Sequence, residues 1–166
     1  MNKNLTEIKI EKLSLSKLYD AYSADVYRYS FSILKDNEEA KDALQETFAR
    51  YAESENSFKG ECSQKTWLLI IARNYCFNRL RSEDYKCRMQ KENLFAESYE
   101  LDIDLLVSLK EALLKLSEEY CELIFLANYA GYSYKEIAYI TKLSPDNVKI
   151  KIFRARQELK RLLKER

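Results

Sequence analysis

Three groups of side chains in this sequence are spaced for binding. Asp42, Gln45 and Glu46 stand at positions i, i+3 and i+4, which places all three on one face of a helix. Residues 62 to 82 hold Lys65, Arg73, Arg79 and Arg81 without an acid, interleaved with Asn74 and Asn78. Residues 145 to 166 carry eight bases, among them Lys149, Lys151 and Arg154, against three acids, a net charge of +5. Lysine and arginine neutralise phosphates and release their counterions, and an asparagine amide matches the paired donor and acceptor on a base edge. Two such basic segments are the electrostatic footprint of a nucleic-acid binder, although one alone has the composition of an ordinary solvated helix face. Between them, residues 83 to 122 hold eleven acids against five bases, a net charge of −6. The overall charge of +1 hides this alternation.

Catalytic chemistry has little to work with. The chain contains no histidine, so imidazole acid/base catalysis, Ser-His-Asp triads and histidine-containing zinc sites are excluded. The four cysteines, Cys62, Cys76, Cys87 and Cys121, form no C-x-x-C pair. They read as reduced thiols of a cytosolic protein, consistent with a polar, mixed-charge start from Met1 to Glu11 that has no secretory pattern. No catalytic residue, metal site or cofactor is expected.

The elements that must position the binding groups are helical. Two glycines and one proline occur in 166 residues, where average usage would give about 20. That shortage disfavours turn-rich all-β folds and removes glycine-rich phosphate loops. With 46% hydrophobic and 33% charged residues, the chain is expected to be soluble and all-α, with no membrane segment. Leu15, Leu18, Tyr22, Val26, Tyr29 and Ile33 predict a helix from about Leu15 to Leu34. Asp36 and Glu39 form a D-x-x-E capping box opening a second helix, whose inner face carries Ala40, Leu44, Thr47, Phe48 and Tyr51. Asp42, Gln45, Glu46 and Arg50 then face outward. A loop around Gly60 precedes a third helix that starts apolar at Trp67-Leu68-Leu69-Ile70-Ile71-Ala72 and ends basic.

Charge is dense and hydrophobic residues are sparse from Ser82 to about Ile103, which reads as a linker. Its 20 or so residues could stretch roughly 70 Å at ~3.4 Å each, more than the ~34 Å of one duplex turn. The expected domains are therefore 1–82, an acidic linker 83–103, and 104–166. In the last, Leu105, Leu109, Ala112, Leu113 and Leu116 form a stripe, Ser117 caps a helix running to about Ala130, and Gly131 stands at its C′ position. Ser133-Tyr134-Lys135-Glu136 is a capping box, Lys142-Leu143-Ser144 a tight turn, and Pro145 the first residue of a basic helix. This is a helix-turn-helix, with Ile137, Ala138, Leu143, Val148 and Ile152 as its core. A left-handed Lys142 would cost about 1 kcal/mol.

The motifs together resemble the extracytoplasmic-function sigma factors, promoter-specificity subunits of bacterial RNA polymerase in the sigma-70 family. Asp42-Ala43-Leu44-Gln45-Glu46-Thr47-Phe48 is similar to the D-x-x-Q-E-x-F of region 2.2. Phe58-Lys59-Gly60, Thr66-Trp67-Leu68 and Ile71-Ala72-Arg73-Asn74 resemble the F-x-G, T-W-L and I-A-x-N of regions 2.3 and 2.4. Tyr134-Lys135-Glu136-Ile137-Ala138 and Ile152-Phe153-Arg154-Ala155-Arg156 resemble the region 4 helix-turn-helix. The resemblance implies that Asp42, Gln45 and Glu46 bind the β′ clamp helices of core RNA polymerase, with further contacts to the β subunit. It places Phe58, Lys59, Asn74 and Asn78 at the promoter minus-10 element, with Lys65, Arg73, Arg79 and Arg81 as phosphate neutralisers. It places Asn147, Lys149, Lys151, Phe153 and Arg154 at the minus-35 duplex, and it implies an anti-sigma factor as regulator. Ile150 and Asp146-Asn147 depart from common family residues, so the promoter sequence does not follow.

The alternative from a different class is a stand-alone helix-turn-helix regulator, binding a palindrome as a dimer without polymerase. It has no use for the D-x-x-Q-E and T-W-L motifs. A hydrolase would need paired acids in a pocket, which the sequence does not offer.

Overall fold

The computed structural model describes residues 13–54, 58–82, Tyr85 and 103–164, the backbone alone for 103–107. Apart from Tyr85 and the first residue of the fourth helix, the expected acidic linker lies outside the described residues, as do residues 55–57 and Cys87. The helices are α1 (Leu15–Leu34), α2 (Asn37–Ser54), α3 (Gln64–Arg81), α4 (Ile103–Lys115), α5 (Glu118–Ile124), α6 (Tyr134–Thr141) and α7 (Pro145–Lys164). No strand occurs among the described residues, and no helix among them is long and apolar enough to cross a membrane.

Helices α1 to α3 pack around Leu18, Val26, Ile33, Phe48, Tyr51, Leu68 and Leu69, all buried. Helix α1 has the limits its heptad-like spacing predicts. The Asp36 cap is half formed: its carboxylate accepts from the Glu39 amide at 2.8 Å. The Glu39 side chain does not close the box, because it is buried and paired with Arg79 of α3. Ser63 caps α3 by accepting from the Thr66 amide at 3.0 Å. Tyr85, in the segment read as a linker, joins this core and donates to the Leu34 carbonyl at 2.6 Å.

The C-terminal helices form the helix-turn-helix. Both arms of the Ser133 and Glu136 capping box are made. Val148, Ile152 and Ala155 of α7 are buried together with Ile137 and Ile140 of α6. Lys142 takes the left-handed conformation, φ 58°. Lys142→Gly is accordingly expected to stabilise the protein by about 1 kcal/mol, raising Tm by roughly 2–4 °C in thermal unfolding at this chain length. A lower Tm would show that the lysine side chain contributes more than its backbone strain costs.

One element departs from expectation. The helix from Ser117 does not run uniformly to Ala130; after Ile124 it widens into a π-helical stretch, Phe125–Tyr129. Gly131 still closes it at φ 71°, with the Tyr132 amide donating to the Leu126 carbonyl at 3.0 Å. The stretch sets Phe125 edge-on to Tyr29 of α1, ring centroids 5.7 Å apart. The two halves of the chain are thus packed against each other, sharing one cluster of buried residues.

Candidate functional site

On α2 the inner face buries Ala40, Ala43, Thr47, Phe48 and Tyr51, so helical geometry turns the opposite face outward. Asp42 and Gln45 are exposed. Glu46 is half-exposed, and its carboxylate accepts from Arg50 Nε one turn later at 2.6 Å. The outcome is an acidic, hydrogen-bonding strip on a rigid helix, suited to a basic partner surface.

On α3 the expected residues separate into two classes. Asn74, Asn78 and Arg81 are exposed at spacings of four and three, forming one outward stripe, and Lys59 is exposed in the preceding loop. Arg73, Arg79 and Lys65, expected as phosphate neutralisers, are engaged with acids within the protein. Arg73 Nε donates to Glu122 of α5 at 2.7 Å. Arg79 forks onto Glu39, with Nε to Oε2 at 2.7 Å and Nη2 to Oε1 at 2.9 Å. Lys65 Nζ pairs with Asp25 at 2.7 Å and lies over the Tyr22 ring. A buried carboxylate demands a partner, and it takes the nearest guanidinium whatever else that cation could bind. Phe58 is half-buried against Trp67, ring centroids 4.7 Å apart, and Trp67 packs against the core.

On α7, Asn147, Lys149, Phe153 and Arg154 are exposed, Phe153 to 62%. Lys151 is half-exposed and pairs with Glu119 of α5 at 2.7 Å. Ile150 is exposed beside Asn147 and Arg154. Together with Phe153 it gives the outer face an apolar component suited to thymine methyl groups. Sequence reasoning noted Ile150 as a departure without placing it at the site; its spacing of three and four from Asn147 and Arg154 was the available signal.

The junction of the two halves holds a polar cluster that sequence reasoning missed. Glu122 has no exposed surface. The Tyr29 hydroxyl donates to its Oε1 at 2.6 Å, beside the Arg73 bond. Burial pushes the Glu122 carboxyl up from its ordinary value against the pull of Arg73, and holds the Tyr29 hydroxyl well above its own. The only advance sign was an acid inside an apolar helix, Cys121-Glu122-Leu123-Ile124. Nearby, a groove of about 680 Å³ between α1, α4 and the π-helical stretch is lined by Phe31, Leu113, Ile124, Phe125, Tyr129 and Leu159, with Arg28 and Lys35 on its rim.

Among the described residues Cys62, Cys76 and Cys121 are free thiols. Burial raises the Cys76 thiol to about 12 and pushes Cys62 and Cys121 upward too, which keeps them protonated near neutrality and poor as nucleophiles or ligands. Among the described residues no three acidic or thiol side chains gather in a metal-sized cluster.

Comparison with known proteins is consistent across three measures. Residues 18–85 match the family model for Sigma-70 region 2, and residues 106–159 match that for Sigma-70 region 4. The chain is 32% identical to the ECF RNA polymerase sigma factor SigM of Bacillus subtilis, over 90% of this chain and 95% of that one. It is also 32% identical to the RNA polymerase sigma factor YlaC of the same organism, over 89% of this chain and 91% of the other. In structure it resembles the sigma factor RpoE of Bartonella quintana crystallised with the anti-sigma factor NepR, at TM-score 0.72 and 25% identity, covering 90% of this chain and 96% of that one. The fold is shared with CnrH in complex with the cytosolic domain of CnrY, at TM-score 0.67 and 23% identity, over 90% and 86% of the two chains.

Proposed function

The chain belongs to the extracytoplasmic-function sigma factors of the sigma-70 family, and from that premise we propose how its surfaces share the work. The protein is a sigma factor: it binds core RNA polymerase and directs it to promoters. Its own contribution is binding and DNA opening rather than catalysis, and it acts in the cytoplasm, where the polymerase is.

In this reading Asp42, Gln45 and Glu46 meet the basic side chains of the β′ clamp helices, while the C-terminal half adds contacts to the β subunit. Asn74, Asn78, Arg81 and Lys59 face the minus-10 element. Phe58 supports the loop that receives its bases. Asn147, Lys149, Ile150, Phe153 and Arg154 face the minus-35 duplex, with Lys149 at phosphate and Arg154 at a base edge. An anti-sigma protein is the regulator. The groove between α1 and α4, apolar with a basic rim, is a surface such a protein could occupy.

The observation that carries the reading is the presence in one chain of two unlike binding faces, an acidic strip on α2 and a basic, solvent-directed α7. A self-sufficient operator binder needs only the second. Size-exclusion chromatography with bacterial core RNA polymerase tests this. Co-elution is expected, whereas a folded chain that elutes alone would favour the stand-alone regulator. Arg154→Ala is expected to cost about 1–3 kcal/mol at one minus-35 position and to relax preference there, measured by promoter binding of the holoenzyme to single-base variants. An equal loss on every sequence would make Arg154 a phosphate contact.

A further inference from the structure

The polar cluster at the junction of the halves has no part in the reading above. Its carboxylate, Glu122, comes from α5, and its two donors, Tyr29 and Arg73, come from α1 and α3, 93 and 49 residues away. A fully buried carboxylate is tolerated only while its donors are in place, so the closed arrangement depends on both partners. Further contacts close over the same face. Lys35 Nζ, at the end of α1, donates to the carbonyls of Leu114 and Leu116. Tyr132 lies against Thr66, and Tyr139 against Cys62. The C-terminal half therefore meets Arg73, Thr66 at the start of α3 and Cys62 in the loop before it, while Lys59, Asn74, Asn78 and Arg81, like Asn147, Lys149, Phe153 and Arg154 of α7, stay exposed.

A sigma factor cannot work in this conformation. Elements at minus 10 and minus 35 lie some 25 base pairs apart, roughly 85 Å of duplex at ~3.4 Å per pair. A compact chain of this length has a radius of gyration of only about 15 Å. The halves must part before both elements are engaged.

We propose that Glu122 is an intramolecular latch: in the free protein it holds Tyr29 and Arg73, keeps the C-terminal half packed against the N-terminal half, and must be released before both promoter elements are engaged. The latch rests on the sigma-factor reading for its consequence, but not for its existence. Closure is measured on the full chain alone, and its consequence with polymerase. By small-angle X-ray scattering the wild type gives a radius near the compact value. Glu122→Lys sets a second cation against Arg73 and shifts the radius upward, towards that of two tethered bodies. Tyr29→Phe removes one donor, gives a smaller shift in the same direction, and serves as the test should Glu122→Lys fail to fold by circular dichroism. Fluorescence titration with core polymerase is expected to show about 3- to 10-fold tighter apparent binding by the opened variant, because the apparent Kd falls as the competent fraction rises. A wild-type radius already far above the compact value, or no change in either variant, would overturn the latch. Opening without a gain in polymerase affinity would overturn its regulatory role. Absence of polymerase binding by every form, wild type included, would instead refute the sigma-factor reading.

Discussion

Glu46→Lys is expected to abolish binding of core RNA polymerase, by a factor of 100 or more, while leaving the protein folded. Such a loss requires about 2.8 kcal/mol, at about 1.4 kcal/mol per tenfold. Removing an acid from a charged interface and installing a base opposite cationic side chains supplies both a lost attraction and a new repulsion. The fold should hardly respond. Glu46 is a half-exposed residue on the outer face of α2, and its Arg50 pair is a surface ion pair one turn away, where substituting a like charge costs only a few tenths of a kcal/mol, about 0.2–0.5. Fluorescence titration against core polymerase, with thermal unfolding as the control, measures both. A variant with unaltered Tm and unaltered affinity would remove the outer face of α2 from the interface.

Arg79→Ala is expected to lower stability by about 3–5 kcal/mol, the usual cost of taking one partner from a buried ion pair. The Glu39 side chain is 2% exposed and Arg79 20%, so water cannot replace the guanidinium that meets both carboxylate oxygens. Arg79→Lys should recover only part of the loss, because an ammonium cannot span the two oxygens with a planar fork. Chemical denaturation measures the difference. If Arg79→Ala left stability unaltered and weakened DNA binding of the holoenzyme, the phosphate role read from the sequence would be supported and the structural role rejected.

These two residues mark where the sequence is informative and where it is not. Glu46 belongs to a short motif on one helix, and its outward position follows from the buried partners at Ala43, Thr47 and Phe48; a period of 3.6 is enough to find it. The limits of α1, the capping box at Ser133, the left-handed Lys142 and the proline at the start of α7 are local in the same sense. Each is decided within four or five residues. Arg79 and Arg73 are not. Counted along the chain they lie in a run of bases without an acid, yet their partners Glu39 and Glu122 are 40 and 49 positions away. Charge density along a sequence cannot register a pairing that tertiary packing creates. Lys151 with Glu119, 32 residues distant, is the same case.

The π-helical stretch and the packing of the two halves were hidden for a related reason. Phe125-Leu126-Ala127-Asn128-Tyr129 has apolar residues that satisfy either helical period, and Phe125 meets the ring of Tyr29 from a distant helix. A long charged segment between two helical units suggests reach, since its contour is long. It carries no information on whether the units attract one another. That information lies in Tyr29, Arg73 and Glu122, each unremarkable among its sequence neighbours.

The central claim is that this chain selects promoters for RNA polymerase. It is tested most directly by transcription of fragmented genomic DNA in vitro with core polymerase, with and without the chain, followed by mapping of RNA 5′ ends. Discrete 5′ ends are expected that appear only when the chain is present, share sequence near minus 10 and minus 35, and disappear with Glu46→Lys. The same 5′ ends with and without the folded protein would contradict it.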